Sequence, residues 1–492
     1  MRVRRHRTTH SYRRLARMLR LTRVAAASIT LGISACATGP HYKIPDSRAA
    51  MPSTFDTRDS TLPATAPVDR WWTVLGDATL DALIAHALSD DPDLATAEAR
   101  VQQARAQARI AGATFYPAAN LDGRVSRDKL SRNGESLALI PFPLGTTLFT
   151  DYRVGFDASW EIDLAGKNRR DVEAAVARLE STDESRNDAR SVVAAEVADA
   201  YVDYRASARR LELAQQTLAA YDETLRLTVL EQHAGLSSET DRRLVEADRF
   251  IAAGALPSLA AEGRGALFKL AALTGASAES LTAELAAPRE LPNLPATVSI
   301  GLPADLLRRR PDVRRAERDL AASTADVGSA VAAQFPRLSL TGDFGWDSVH
   351  PGDLTKAASQ YWNLTPQLTL PLFAGGKLRA QVRESEAAHD AELGMYRATV
   401  MRALADAETT IVRLAGERNR QDSLEAVSAA LTTNVTRERQ RFAAGDVAMI
   451  EVLAAERAAN QAMDQQVASQ AQLTRDYVAL GKALGGGWQS QW

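Results

Sequence analysis

The side chains that could do chemistry in this 492-residue chain are few. Cys36 is the single cysteine, which excludes a disulfide framework and a cysteine-rich zinc site. The seven histidines (6, 10, 41, 86, 233, 350 and 389) show no metal-ligand spacing. Lys167 and Lys377 each follow a glycine, but neither has the upstream glycine of a phosphate-cradling loop. The run Arg308-Arg309-Arg310 has the charge to hold an anion; followed by Pro311, it reads instead as the solvated start of a helix. No GxSxG, no Cys/His arrangement and no isolated carboxylate pair argues for catalysis. The expectation is a protein that is not an enzyme and carries no metal or cofactor.

Cys36 itself points to a different chemistry. It follows nine arginines with no acid over residues 1–35 and a 12-residue apolar run, 24–35, too short to span a bilayer. The sequence Ile33-Ser34-Ala35-Cys36 resembles a bacterial lipobox. Such a cysteine is exposed by signal-peptide cleavage and then carries a diacylglycerol thioether and an N-acyl chain, a combination that anchors stably in lipid. Ala37 rather than Asp after it resembles sorting to the outer membrane. Met18 is an alternative start, because MLRLTR alone makes a normal basic region. Beyond residue 35 the charge falls to about −11, which argues against a nucleic-acid partner. No later stretch has 18 consecutive apolar residues, so no transmembrane helix is expected.

The elements beyond the signal repeat. Asp91-Pro92-Asp93 followed by Phe115-Tyr116-Pro117 recurs 219 residues later as Arg310-Pro311-Asp312 and Gln334-Phe335-Pro336. Gly166-Lys167 and Gly235 recur 210 residues later as Gly376-Lys377 and Gly445. The expected organisation is a signal peptide (1–35), a Pro-rich extended strap unable to build a core (36–70), two repeats (71–290 and 291–485) and a tail (486–492). Each repeat holds two segments of period-2 alternation: 120–126 with 151–163, and 337–346 with 361–373. Strand length, aromatics on the apolar side and long Gly/Pro/Ser loops favour a membrane barrel over a half-buried soluble sheet. Four strands are too few to enclose water, so several chains must share one barrel.

The helices are long. Residues 168–234 contain neither Gly nor Pro, which predicts a helix of about 100 Å, and 377–444 repeat the feature with only Gly394 and Gly416 inside. Shorter helical stretches are expected at 79–113, 237–273, 305–333 and 447–484, with a kink or break at Gly254 and Pro257. Gly235 and Gly445 end the long helices and turn the chain back.

The segment Leu302-Pro303-Ala304-Asp305-Leu306-Leu307-Arg308-Arg309-Arg310-Pro311-Asp312-Val313, with Ala316-Glu317, Phe335-Pro336 and Trp71-Trp72, resembles the signature of the outer membrane factor family, specifically the NodT-type lipoprotein branch of resistance-nodulation-division efflux systems. That resemblance implies a mainly α fold with a transmembrane β-barrel: four strands and six helical segments per chain, joined in a homotrimer with a 12-stranded barrel and a long α-helical barrel. It implies a passive duct in the outer membrane, a periplasmic adaptor docked at the turns of Gly235 and Gly445, and an inner-membrane transporter as energy source. It also implies an acidic ring at the periplasmic mouth. Glu451 falls where one family acid lies and Ala454 where another often lies; Asp446 or Glu456 is the substitute contributor, and Asp241 is the first-repeat equivalent. Copies of Glu451 brought together would attract cations. Glu451 as a plain solvated helix-face charge is the competing reading. An exit channel for type I protein secretion shares the architecture and is the alternative function, and a lipid-anchored coiled-coil adhesin is excluded only by the amphipathic strands.

Overall fold

The computed structural model describes residues 38–46, 51–57, 61–131, 148–287 and 290–489. Cys36 and the signal segment lie outside the described residues. A 3₁₀ turn at Trp71–Leu75 leads into α1 (Ala78–Asp90) and α2 (Pro92–Ala113), then β1 (Ala118–Lys129) and β2 (Leu148–Ile162). The chain continues as α3 (Lys167–His233), α4 (Glu239–Thr274) and the short α5 (Ala278–Glu284). The second half runs α6 (Leu306–Arg309), α7 (Pro311–Ala332), β3 (Arg337–Ser348), β4 (Gln360–Thr369), α8 (Lys377–Ala443) and α9 (Met449–Ala483).

Proline sets the helix starts and splits two of the expected helices. Pro92 is the first residue of α2, where its missing N–H costs nothing and its ring holds Asp91 extended. The Asp91 carboxylate then accepts from the N–H of Asp93 at 2.8 Å and Leu94 at 3.0 Å. Arg310 is likewise extended before Pro311, which separates α6 from α7. Gly254 and Pro257 do not break α4, which continues past both. One proline removes a single ladder bond, and the rest of the 36-residue helix remains bonded around it.

The described residues form two compact units. One takes 104–179 and 319–393 with the chain up to 43 and contains the sheet; the other takes 44–103, 180–318 and 394–492. Each therefore draws matching pieces from both repeats. The sheet is antiparallel in the order β1-β2-β3-β4. β4 stops at Thr369 rather than at 373, because Thr369 pairs with Arg337, the first residue of β3, and nothing remains beyond it to bond.

The second unit buries Trp71, Trp72, Leu80, Ile84, Tyr201, Ile411 and Tyr477 in one core. Trp71 packs edge-on against Trp72 and Tyr477, and the Tyr477 hydroxyl donates to the Trp71 carbonyl at 2.9 Å. The strap differs from expectation, because its described residues place Phe55 and Leu62 in this core. Its free backbone groups find an extended partner, since the N–H groups of Val298, Ile300 and Gly301 donate to the carbonyls of Thr61, Pro63 and Thr65. Arg309 and Arg310 also depart from the solvated-start reading. Arg309 pairs with Asp69 and donates to the Leu484 carbonyl, while Arg310, nearly buried, pairs with Asp312 and Asp406. These arginines hold the chain's glycine-rich end, where Trp488 donates its indole N–H to the Arg309 carbonyl.

Candidate functional site

The two glycine turns have one backbone. After α3, Gly235 has φ 70°, its N–H donates to the Gln232 carbonyl at 3.0 Å, and Leu236 N–H donates to Glu231 at 2.8 Å. After α8, Gly445 has φ 81°, its N–H donates to Phe442 at 3.0 Å, and Asp446 N–H donates to Arg441 at 2.9 Å. This pair of crossing bonds satisfies the last helix carbonyls and needs a left-handed residue, which a side chain disfavours by about 1–2 kcal/mol.

The side chains on the two turns do different things. In the first, Ser238 caps α4: its hydroxyl accepts from Asp241 N–H at 3.1 Å, and the Asp241 carboxylate accepts from Ser238 N–H at 2.9 Å and from its hydroxyl at 2.6 Å. Those bonds from Ser238 hold the Asp241 carboxyl below the ordinary carboxylate range. Glu239 is pulled down to about 2, chiefly by its bonds from Arg242 and then Gln232. Gln232 Nε2 to Glu239 at 2.8 Å also ties the end of α3 to the start of α4.

In the second turn the capping position is Ala448, which has no side chain to offer the α9 N-terminus. Glu451, the third residue of α9, is exposed, and its carboxylate makes no hydrogen bond or ion pair with the described residues; Asp446 on the turn is the same. Glu456 is engaged instead by Arg439 at 2.7 Å. Of the acids singled out in the sequence, two on the second turn thus remain open to solvent, while Asp241 is occupied by its own helix cap.

Contacts between helices of the two repeats went unnoticed in the sequence. Arg210 of α3 makes a two-pronged pair with Asp464 of α9, at 2.7 and 3.3 Å. Arg457 of α9 donates to Thr224 Oγ1 at 2.8 Å and lies 4.5 Å from the Tyr221 ring centre. Arg210, Tyr221, Arg457 and Asp464 line a cavity of about 460 Å³ between α3, α4 and α9. Further along α3, burial and then the neighbouring Asp203 push the Asp199 carboxyl up to about 6, and one of its oxygens is buried without a hydrogen-bond partner. In an alanine-rich helix an arginine looks like a solvated charge, so only the partner on the other helix reveals its work.

The sheet has two chemically distinct faces. Leu121, Phe156, Phe344 and Trp362 are paired in one row across all four strands, and all are exposed. The adjacent row on the opposite face is Asn120, Asp157, Asp343 and Asn363. Among the described residues, β1 and β4 each leave one edge unpaired.

A four-stranded two-faced sheet together with duplicated long helices defines an outer membrane channel subunit. The sequence pattern of the outer membrane efflux protein family matches residues 83–276 and 302–486. The chain belongs to that family. It is 33% identical over 468 residues to the pyoverdine export outer membrane protein OpmQ of Pseudomonas putida, covering 94% of this chain and 97% of that one. It is 28% identical over 476 residues to nodulation protein T of Rhizobium leguminosarum bv. viciae, covering 95% and 94%. Among solved structures, the outer-membrane channel OprN superposes with a TM-score of 0.83 at 31% identity, covering 92% of this chain and all of that one. The protein is accordingly an outer membrane efflux channel with a periplasmic helical extension, of a trimeric fold that contains a β-barrel and an α-helical barrel, and it is not an enzyme.

Proposed function

We propose that three copies of this chain form the exit duct of a tripartite pump that expels small toxic compounds from the periplasm or cytoplasm. The observation that carries the reading is the sheet: one face is apolar and exposed, the other polar, and both edges are open. Unpaired edges are not tolerated in lipid, so neighbouring copies must supply the missing partners. A periplasmic adaptor docks at the Gly235 and Gly445 turns, and an inner-membrane resistance-nodulation-division transporter supplies the energy. Cys36 carries the diacylglycerol and N-acyl chains that tether the strap to the outer membrane. Relatives named for antibiotic and toluene efflux support small-molecule cargo over secreted protein. Glu451, with Asp446, is the acidic element of the periplasmic mouth.

The test is direct. Purified protein is expected to run as a lipidated trimer by native mass spectrometry and, with its mouth relaxed by substitution at Glu451, to conduct ions across a planar bilayer. A monomer that conducts nothing in that state would overturn the duct; conduction by an unlipidated trimer would remove only the Cys36 assignment.

A further inference from the structure

Among the described residues of the four strands, two positions are buried, and both are glycine: Gly155 and Gly345, paired directly across β2 and β3. Tyr361 stands next in the same row, opposite Gly345 on β4, so its side chain leaves the sheet on the polar face. It does not stand upright. A Cβ added at Gly155 would come within 2.7 Å of the Tyr361 hydroxyl and 2.9 Å of the Phe344 carbonyl oxygen, and one at Gly345 within 2.9 Å of the hydroxyl but 2.5 Å of the Val154 carbonyl oxygen. The tyrosine therefore lies flat over both glycines, reaching from β4 across β3 to β2.

Its far end is fastened. Arg153, two residues before Gly155 and on the same face, donates from Nε to the Tyr361 hydroxyl at 2.7 Å, and its guanidinium lies 4.3 Å from the ring centre. Stacking and hydrogen bond together hold both side chains to the sheet. The glycines serve two close approaches at once, of the β2 and β3 backbones to each other and of the Tyr361 ring to both, and the bare backbone is what makes the flat position available.

Taking the polar face as the lumen of the trimeric barrel, on which this rests, we infer that Tyr361, latched by Arg153 over Gly155 and Gly345, is a specificity-determining element that sets the bore. Flat against the wall, the ring leaves the passage wide enough for bulky cargo. Released, it projects into the lumen from each of three subunits. Tyr361 is the second residue of β4, at the hairpin end of the strand, so the constriction lies on the side away from the helices.

The test reads passage from outside and is independent of the periplasmic mouth. Thr365 lies on the same strand face as Tyr361, four residues closer to the helical end of β4, and Thr365→Cys provides a target for maleimides of graded size applied to intact cells. The parent chain without that substitution supplies the background. Small and bulky reagents should both label the Thr365→Cys channel. Adding Arg153→Met, which keeps the length of the side chain but removes the donor to the Tyr361 hydroxyl, should slow the bulky reagent severalfold while sparing the small one, and adding Tyr361→Ala to that variant should restore the bulky rate. Arg153→Lys adds no bulk at the glycines but loses the planar stack, so it should slow the bulky reagent too, again with rescue by Tyr361→Ala. Equal labelling in all variants, or slowing that Tyr361→Ala does not relieve, would overturn the inference. Failure of even the small reagent to label Thr365→Cys would instead overturn the lumen reading of this face.

Discussion

The turns at Gly235 and Gly445 share backbone bonds residue for residue, yet one is fastened and the other is not. The first has a reciprocal serine–aspartate cap and a carboxylate bridge to the preceding helix. The second has alanine at the cap and two unengaged acids. Duplication therefore conserved the fold of the turn while its side chains diverged toward different work. A satisfied cap consumes the charge of its aspartate locally, whereas an uncapped turn leaves its charge available to ions and to neighbouring copies.

The largest effect should come from attacking what the turns share. Gly235→Val and Gly445→Val each place a β-branched residue in the left-handed region, at a cost of about 2 kcal/mol. Urea unfolding should show similar losses at both; a loss confined to one would break the claim of a common backbone. Next come the caps, where the turns differ. Ser238→Ala should cost about 1 kcal/mol, and Ala448→Ser should stabilise the α9 start by a comparable amount. Amide exchange over residues 239–246 and 449–455 locates each change, and a null result for Ala448→Ser would mean that position does not lack a cap.

A third comparison concerns charge. Glu451→Ala should lower cation preference in single-channel recordings, while Asp241→Ala should leave it unchanged and loosen α4 instead. An unaltered reversal potential in the first variant would reject the acidic-mouth assignment. The smallest effect is expected from acid. Glu239 and Asp241 have folded pKa values below their unfolded ones, so their stabilisation is present above the unfolded values and is lost as pH falls from about 4.5 toward 2. Exchange corrected for intrinsic rates should show the first turn loosening through that window.

Periodicity carried much of this architecture. The absence of Gly and Pro from 168–234 gives α3 to within a residue at each end, since helix continuity is a local property. The four strands follow from period-2 alternation, because each faces lipid on one side and polar surroundings on the other. Local rules also misled. Gly254 and Pro257 read as a kink or break, and α4 runs through both without a break. The strap read as coreless, because its mean composition conceals what two apolar residues do once 298–301 pairs with it.

What this sequence determined alone was therefore the set of elements, their duplication, the two-faced strands and the sites of the glycine turns, all fixed by interactions within a few residues. What only the tertiary structure decided was which polar groups are free and which are committed. The spacing Ser238 to Asp241 and Ala448 to Glu451 is identical along the chain, and Arg153 is separated from Tyr361 by more than 200 residues. A charge's availability depends on the partners that packing brings to it, and those partners lie on strands and helices that sequence distance does not connect.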